Sequence, residues 1–130
     1  MGVKIKGYET KDEQSLFALI SSDEEWKDYC RDESAIKKYR TAVENCITYV
    51  LYENDTLCGF IRATDDFGFG IYINDLLVHK NFRGKSYGKS LIEQVCADFP
   101  GTVYVLSDVD EYYRKQGYSE IEGSVVVVRG

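Results

Sequence analysis

Histidine is almost absent from this 130-residue chain: there is one, His79, with no cluster of ligating side chains around it in the sequence. That argues against a metal centre, which needs several such ligands at suitable spacing. Cysteine occurs four times (Cys30, Cys46, Cys58, Cys96) but never as a Cys-x-x-Cys pair. Each lies in an apolar or amphipathic stretch, so free buried thiols are expected rather than disulfides or zinc ligands. Long apolar runs are missing too. No stretch is long enough to span a bilayer, and Met1-Gly2-Val3-Lys4-Ile5-Lys6 has no signal-peptide core. Lys6 stands where N-myristoylation wants Ser or Thr. Positive charge is scarce. The 16 basic residues against 22 acidic ones leave a net charge of −6, a poor match for nucleic acid. Repeats, linkers and low-complexity segments are absent, so a single domain over 1–130 is expected, large enough for one core and cytoplasmic by default.

What is present is an alternation of strands and amphipathic helices. Residues 3–8 read as a first strand. Thr10-Lys11-Asp12-Glu13 carries a capping-box pattern, and Leu16, Phe17, Leu19 and Ile20 supply the apolar face of the helix it opens. Ser22-Asp23-Glu24-Glu25 is a second helix start, leading into Trp26, Tyr29 and Cys30. A third helix is predicted over 33–44, with Ile36, Tyr39 and Val43 aligned. Residues 46–52 and 56–63 read as a hairpin turning at Glu53-Asn54-Asp55, and Asp65-Asp66-Phe67-Gly68 makes the next turn. A long fourth strand is predicted over 69–78, a fifth over 102–106, a short helix over 110–116, and closing strands around Ile121 and over 125–128. Helices interspersed in a mixed sheet around one core make an α/β or α+β sandwich.

The join between the fourth strand and the next helix carries the chemistry. The apolar run ending at Leu77-Val78 enters a turn with two glycines, Gly84 and Gly88, and an amphipathic helix follows. On that helix Tyr87, Leu91, Ile92, Val95, Cys96 and Phe99 recur at helical spacing, and Pro100-Gly101 ends it. Such a turn aims several backbone N–H groups at one spot, and the helix dipole adds positive potential there. Charge agrees with that reading. Lys80, Arg83, Lys85 and Lys89 fall between His79 and Ile92 with no acid among them, so the rest of the chain carries −10. A basic island in an acidic chain points to an anionic ligand. The Walker spacing is missing, and the turn comes too late in the chain for a dinucleotide fingerprint.

Leu77-Val78-His79-Lys80-Asn81-Phe82-Arg83-Gly84-Lys85-Ser86-Tyr87-Gly88-Lys89 resembles the acetyl-CoA motif of the GNAT N-acetyltransferases, whose signature Arg/Gln-x-x-Gly-x-Gly/Ala maps onto Arg83, Ser86 and Gly88. A second motif of that family matches Tyr112-Tyr113-Arg114-Lys115-Gln116-Gly117-Tyr118. The resemblance implies a mostly antiparallel central sheet flanked by helices, with fourth and fifth strands that splay apart. It implies acetyl-CoA as co-substrate, held by Leu77, Val78, Arg83, Gly84, Lys85, Ser86, Tyr87, Gly88 and Lys89. It also implies transfer of an acetyl group, by direct attack, to a primary amine of a small molecule or peptide; with the charge and the lack of a spanning stretch, no nucleic acid or membrane partner is expected, and a monomer or homodimer is. The alternative is a non-catalytic CoA-binding sensor or adaptor of the same fold; a further rival is an unrelated module for phosphate ligands. Two departures stand out. Ser86 replaces the first signature glycine, and Ser107-Asp108-Val109-Asp110 stands where an Asn is usual.

The same resemblance makes Tyr113 the general acid for the departing thiolate and Tyr112 a core aromatic. A phenol with pKa of about 10 and a thiol of about 8.5 differ little enough for that transfer. The amide of Val78 would polarise the thioester carbonyl; a donor so aimed is worth about 3 kcal/mol. An alkyl amine, with pKa of about 10.4, must first lose a proton, at a cost of about 4–5 kcal/mol at pH 7. Asp75, Asp108 and Asp110 are the candidate bases, with Asn74 as a water holder; each carboxylate is equally well explained as a solvated or capping residue. Asp75 stands out because it interrupts an apolar strand, where a carboxylate needs a partner or a job. His79, just past the strand end, is read as structural.

Overall fold

The computed structural model describes residues 2–106, 110–118 and 126–129. Five strands are present among them: β1 (Val3–Gly7), β2 (Ile47–Glu53), β3 (Thr56–Asp65), β4 (Ile71–Val78) and β5 (Val103–Val105). The helices are α1 (Glu13–Ser21), α2 (Glu33–Asn45), α3 (Tyr87–Asp98) and α4 (Asp110–Lys115), with single 3-10 turns at Thr10–Asp12, Lys27–Cys30 and Lys80–Phe82. The strands lie in sequence order in one sheet. Every neighbouring pair is antiparallel except β4 and β5, which are parallel and joined across the sheet by α3. A parallel pair requires such a crossover, because no tight turn can return the chain in the same direction.

Strand alternation sorts the core onto two faces. Val50, Phe60 and Leu77 face one another across β2, β3 and β4 and bury against Leu16, Leu19 and Ile20 of α1 and Tyr39 and Val43 of α2. On the other face Leu51, Ile61, Ala63, Ile71 and Ile73 pack with Leu91, Ile92 and Val95 of α3. At α2, the Asp32 carboxylate accepts the Ala35 N–H at 2.8 Å, a regular N-cap. Ahead of α1 the capping carboxylate is Asp12 rather than Thr10: its Oδ2 accepts the Glu9 N–H at 2.9 Å. Asp12 is only 2% exposed and also binds Lys6 Nζ at 2.5 Å and Tyr52 Oη at 2.6 Å.

Two irregularities position the site. Arg62 pairs with Asp75 but Ala63 pairs with Ile73, so Asn74 is an extra residue in β4, a bulge. Past it, β4 and β5 separate: their ladder covers only Ile71–Ile73 against Val103–Val105, closing with Leu106 N–H on the Ile73 carbonyl at 3.0 Å. The mostly antiparallel sheet with splayed fourth and fifth strands is therefore present.

Other expectations shift. Phe69 lies outside β4 and is 82% exposed in the hairpin tip. The start expected at Ser22 yields only the 3-10 turn at Lys27–Cys30. Of the four free thiols only Cys58 is buried; Cys96, one residue past buried Val95, is turned about 100° off the apolar face and exposed. The expected strand at Ile121 lies outside the described residues. Val126, Val127 and Val128 are in no strand and are 76, 73 and 94% exposed. Among the described residues no helix is long and apolar enough to cross a membrane.

Candidate active site

The turn between β4 and α3 begins with His79, whose Nδ1 accepts the Asn81 N–H at 3.1 Å and caps the short turn Lys80–Phe82. His79 thus holds backbone in place, as its position past the strand end suggested. Gly84 follows at φ +84°, a left-handed conformation that glycine takes without strain. Ser86 is left-handed as well, at φ 63° and ψ 23°, and is the N-cap of α3. That conformation accounts for the glycine of the family signature: a Cβ there is strained. The Ser86 hydroxyl makes no cap hydrogen bond, and the first turn of α3 carries no acid. The leading amides of a twelve-residue helix therefore have no side-chain cap of their own and no acid in the first turn to compete for them.

Arg83 and Lys85 are both occupied. Arg83 donates from Nε to the Val78 carbonyl at 2.9 Å and from Nη2 to Asp23 Oδ2 at 3.2 Å. Lys85 pairs with Glu53 Oε1 at 2.9 Å and lies over the rings of Phe82 and Tyr87. The Tyr87 hydroxyl donates to the same Glu53 oxygen. Tyr87 and Lys85 together hold the Glu53 carboxyl below its usual range, while Glu53 pushes the Tyr87 phenol up to about 12.

The strand end offers donors to the cleft. His79 N–H bonds the Cys58 carbonyl at 2.8 Å, and Val78 sits opposite Gly59. Backbone groups alternate sides along an antiparallel ladder, so Leu76 and Val78 direct theirs away from β3, toward the gap left by β5. Gly88 is buried, and a Cβ added to it would collide with the Tyr112 hydroxyl. Tyr112, expected in the core, is instead 38% exposed and reaches over the first turn of α3. Its neighbour Tyr113 packs edge-to-face on it at 5.0 Å and against the apolar cluster shared by α3 and the sheet.

Asp75 departs most from expectation. The bulge at Asn74 turns it toward α2, and it is 8% exposed. Its Oδ2 accepts both the Tyr39 hydroxyl and Arg62 Nε, each at 2.5 Å. The Arg62 guanidinium also lies 5.8 Å from the Tyr39 ring centre and donates to Cys46 Sγ at 3.4 Å. That oxygen is therefore engaged by a phenol and a guanidinium inside the fold rather than turned to the cleft beside β5. Burial, and then Asp75, push the Tyr39 phenol well above its usual range. The half-buried Asn74 donates its side-chain amide to Thr64 Oγ1 at 3.2 Å. Asp108 and the side chain of Asp110 lie outside the described residues.

A second part of the site went unread in the sequence. An open cavity of about 290 Å³ is lined by Asp23, Glu24, Glu25, Trp26, His79, Lys80 and Arg83. Its acidic rim was legible only as a helix-start pattern. A shallower cavity of about 370 Å³, beside Cys46 and Phe67, lies at the other end of β4 and contains none of the motif residues.

The sequence model of the acetyltransferase (GNAT) family matches residues 10–118. The chain belongs to that family. Among its relatives, an uncharacterized N-acetyltransferase, ycf52, of Porphyra purpurea is 32% identical over 94 residues, covering 64% of this chain and 54% of the relative. The chain thus spans about half the length of that relative. An aminoglycoside N-acetyltransferase, AAC(6')-Iy, solved in complex with CoA, superposes with a TM-score of 0.76 over 98% of this chain and 95% of its own, at 12% identity. A ribosomal-protein-alanine N-acetyltransferase from Brucella melitensis gives a TM-score of 0.74 over 99% and 100% of the two chains, at 18% identity. At such identities the superpositions speak for the fold.

Proposed function

We propose that this GNAT chain is an acetyl-CoA-dependent N-acetyltransferase acting by direct transfer on a primary amine of a small molecule or peptide. The observation that carries this reading is the uncapped N-terminus of α3, entered through left-handed Gly84 and Ser86 and flanked by Arg83 and Lys85, beside the separation of β4 from β5. These residues fit a CoA diphosphate. Amides and dipole meet the anion, Arg83, Lys85 and Lys89 neutralise it, and Gly88 keeps bulk away from Tyr112. Bound there, acetyl-CoA supplies an activated acetyl thioester. Leu77 and Val78 line the strand end beside it, and the Val78 amide serves as a donor to the carbonyl oxygen. Tyr113 holds a phenolic proton for the departing sulfur. The acceptor's ammonium gives its proton to solvent before attack, since Asp75 is committed to Arg62 and Tyr39.

The test has two steps. CoA at 100 times its Kd stabilises the folded chain by about 2.7 kcal/mol, a plain shift in a thermal melt. Acetyl-CoA is then screened with amines, polyamines, amino acids and peptides while thiol release is followed. No melting shift at millimolar CoA would refute the CoA site, and a shift without thiol release from any amine would leave a binding protein.

A further inference from the structure

Arg83 and Asp23 are 60 residues apart in sequence, yet their side chains meet at 3.2 Å. Arg83 belongs to the anion-binding turn, whereas Asp23 belongs to the loop after α1 that walls the 290 Å³ cavity. The Asp23 side chain is 19% exposed and the Arg83 side chain 55% exposed. The two Asp23 oxygens have separate tasks: Oδ1 accepts the Glu25 N–H at 2.9 Å and shapes the loop, while Oδ2 holds the guanidinium. The arginine is divided too, between this carboxylate and the Val78 carbonyl. One guanidinium therefore ties together the phosphate turn, the strand end and the cavity wall.

We propose that Asp23 is a positioning residue that links the two substrate sites by exchanging its counter-ion. Its carboxylate stands in for phosphate on Arg83 while the turn is empty and gives the guanidinium up to the CoA diphosphate. This rests on the CoA reading above. The exchange follows from charge: a diphosphate beside Arg83 outcompetes a single carboxylate and repels it. Asp23, still anchored through Oδ1, is then left without its guanidinium, on the wall of a cavity lined by Glu24 and Glu25 against the single lysine Lys80. Donor binding makes that cavity more anionic and so favours the ammonium form of an acceptor. By linkage, an acceptor held there tightens the donor in return.

The experiment needs no acceptor. CoA affinity is measured by calorimetry for wild type, Asp23→Asn, Asp23→Glu and Glu25→Gln. The Asn variant keeps the Oδ1 acceptor for Glu25 and loses only the charge. It should bind CoA about two- to fivefold more tightly, the range that releasing an exposed ion pair allows, and the gain should shrink in high salt. Asp23→Glu should resemble wild type. Glu25→Gln removes an equal charge from the same loop without touching Arg83, and should change affinity less. The cavity side is read from Trp26, the only tryptophan. Adding CoA to wild type should lower quenching of Trp26 by iodide more than by neutral acrylamide, and Asp23→Asn should lose that difference. Equal or weaker CoA binding by Asp23→Asn, an equal gain in Glu25→Gln, or the same iodide response in both proteins would each overturn the proposal. Wild type failing to bind CoA at all would refute the CoA reading itself, a result distinct from these.

Discussion

Replacing Ser86 by glycine should make the protein more stable, which glycine at a helix boundary rarely does. Ser86 sits at φ 63° and ψ 23°, and its hydroxyl caps nothing. A non-glycine residue in the left-handed region costs about 1–2 kcal/mol. Glycine removes that strain but gives the unfolded chain more freedom, which returns about 0.4–1 kcal/mol. The net expectation is a gain of about 0.5–1 kcal/mol, or about 2–4 °C in melting temperature for a chain of this length. Ser86→Ala is the control: it keeps the strain and loses an unused hydroxyl, so it should melt close to wild type. CoA affinity of Ser86→Gly should hold or improve, because the amides of the first turn are then approached without a Cβ. Paired melts with and without CoA decide the matter. A glycine variant that melts below Ser86→Ala would refute the strain argument. A severalfold loss of CoA affinity on replacing Ser86 would show that the hydroxyl itself binds phosphate.

Three further outcomes are expected. Tyr113→Phe should keep fold and CoA affinity but lower kcat by about 10²-fold, as loss of a general acid does, while Tyr112→Phe leaves kcat near wild type; equal turnover of Tyr113→Phe and wild type removes the assignment. Arg62→Met strands Asp75 in a site where their side chains are 18 and 10% exposed, and should cost about 3–5 kcal/mol in urea denaturation, most of it recovered on pairing with Asp75→Leu; a loss under about 1 kcal/mol would mean the ion pair is solvated. At Asp12 burial pushes the carboxyl up, but Lys6, Tyr52 and the Glu9 amide outweigh it and hold it below its usual range. Its contribution is therefore complete above the unfolded value of about 3.9 and lost as pH falls through the lower folded value, so Asp12→Asn should flatten the acid limb of stability against pH.

What the sequence made legible was local. The strand, turn and helix from Leu77 to Lys89 could be read because glycine, basic charge and apolar spacing act within a few residues of one another. The same holds for α2, where the aligned Tyr39 and Val43 mark the buried face. What stayed hidden depended on distant pairing. Ser22-Asp23-Glu24-Glu25 has a helix-start pattern, yet Asp23 meets Arg83 from the far half of the chain. Tyr112 and Tyr113 are adjacent, and their sequence motif does not say which ring α4 packs inward; the packing put Tyr112 over Gly88.

Asp75 shows how much can hang on one residue of register. In an unbroken strand it would share a face with Ile71 and Ile73, against α3 and beside the turn. The extra residue at Asn74 reverses the alternation, so that Ile73 faces α3 while Asp75 and Leu77 face the other helices. The reversal brings the carboxylate opposite Arg62 and beneath Tyr39, where a partner exists for it. It also coincides with the point where β4 leaves β5, because a bulge bends its strand and increases the local twist. The bulge thus lets the strand carry Asn74 without turning Asp75 away from Arg62, and it marks the place where the cleft opens. Deleting Asn74 should separate the two effects: Ile73 and Asp75 become consecutive and stay on opposite faces, so the Arg62 ion pair survives, while β4 loses the bend that accompanies its departure from β5.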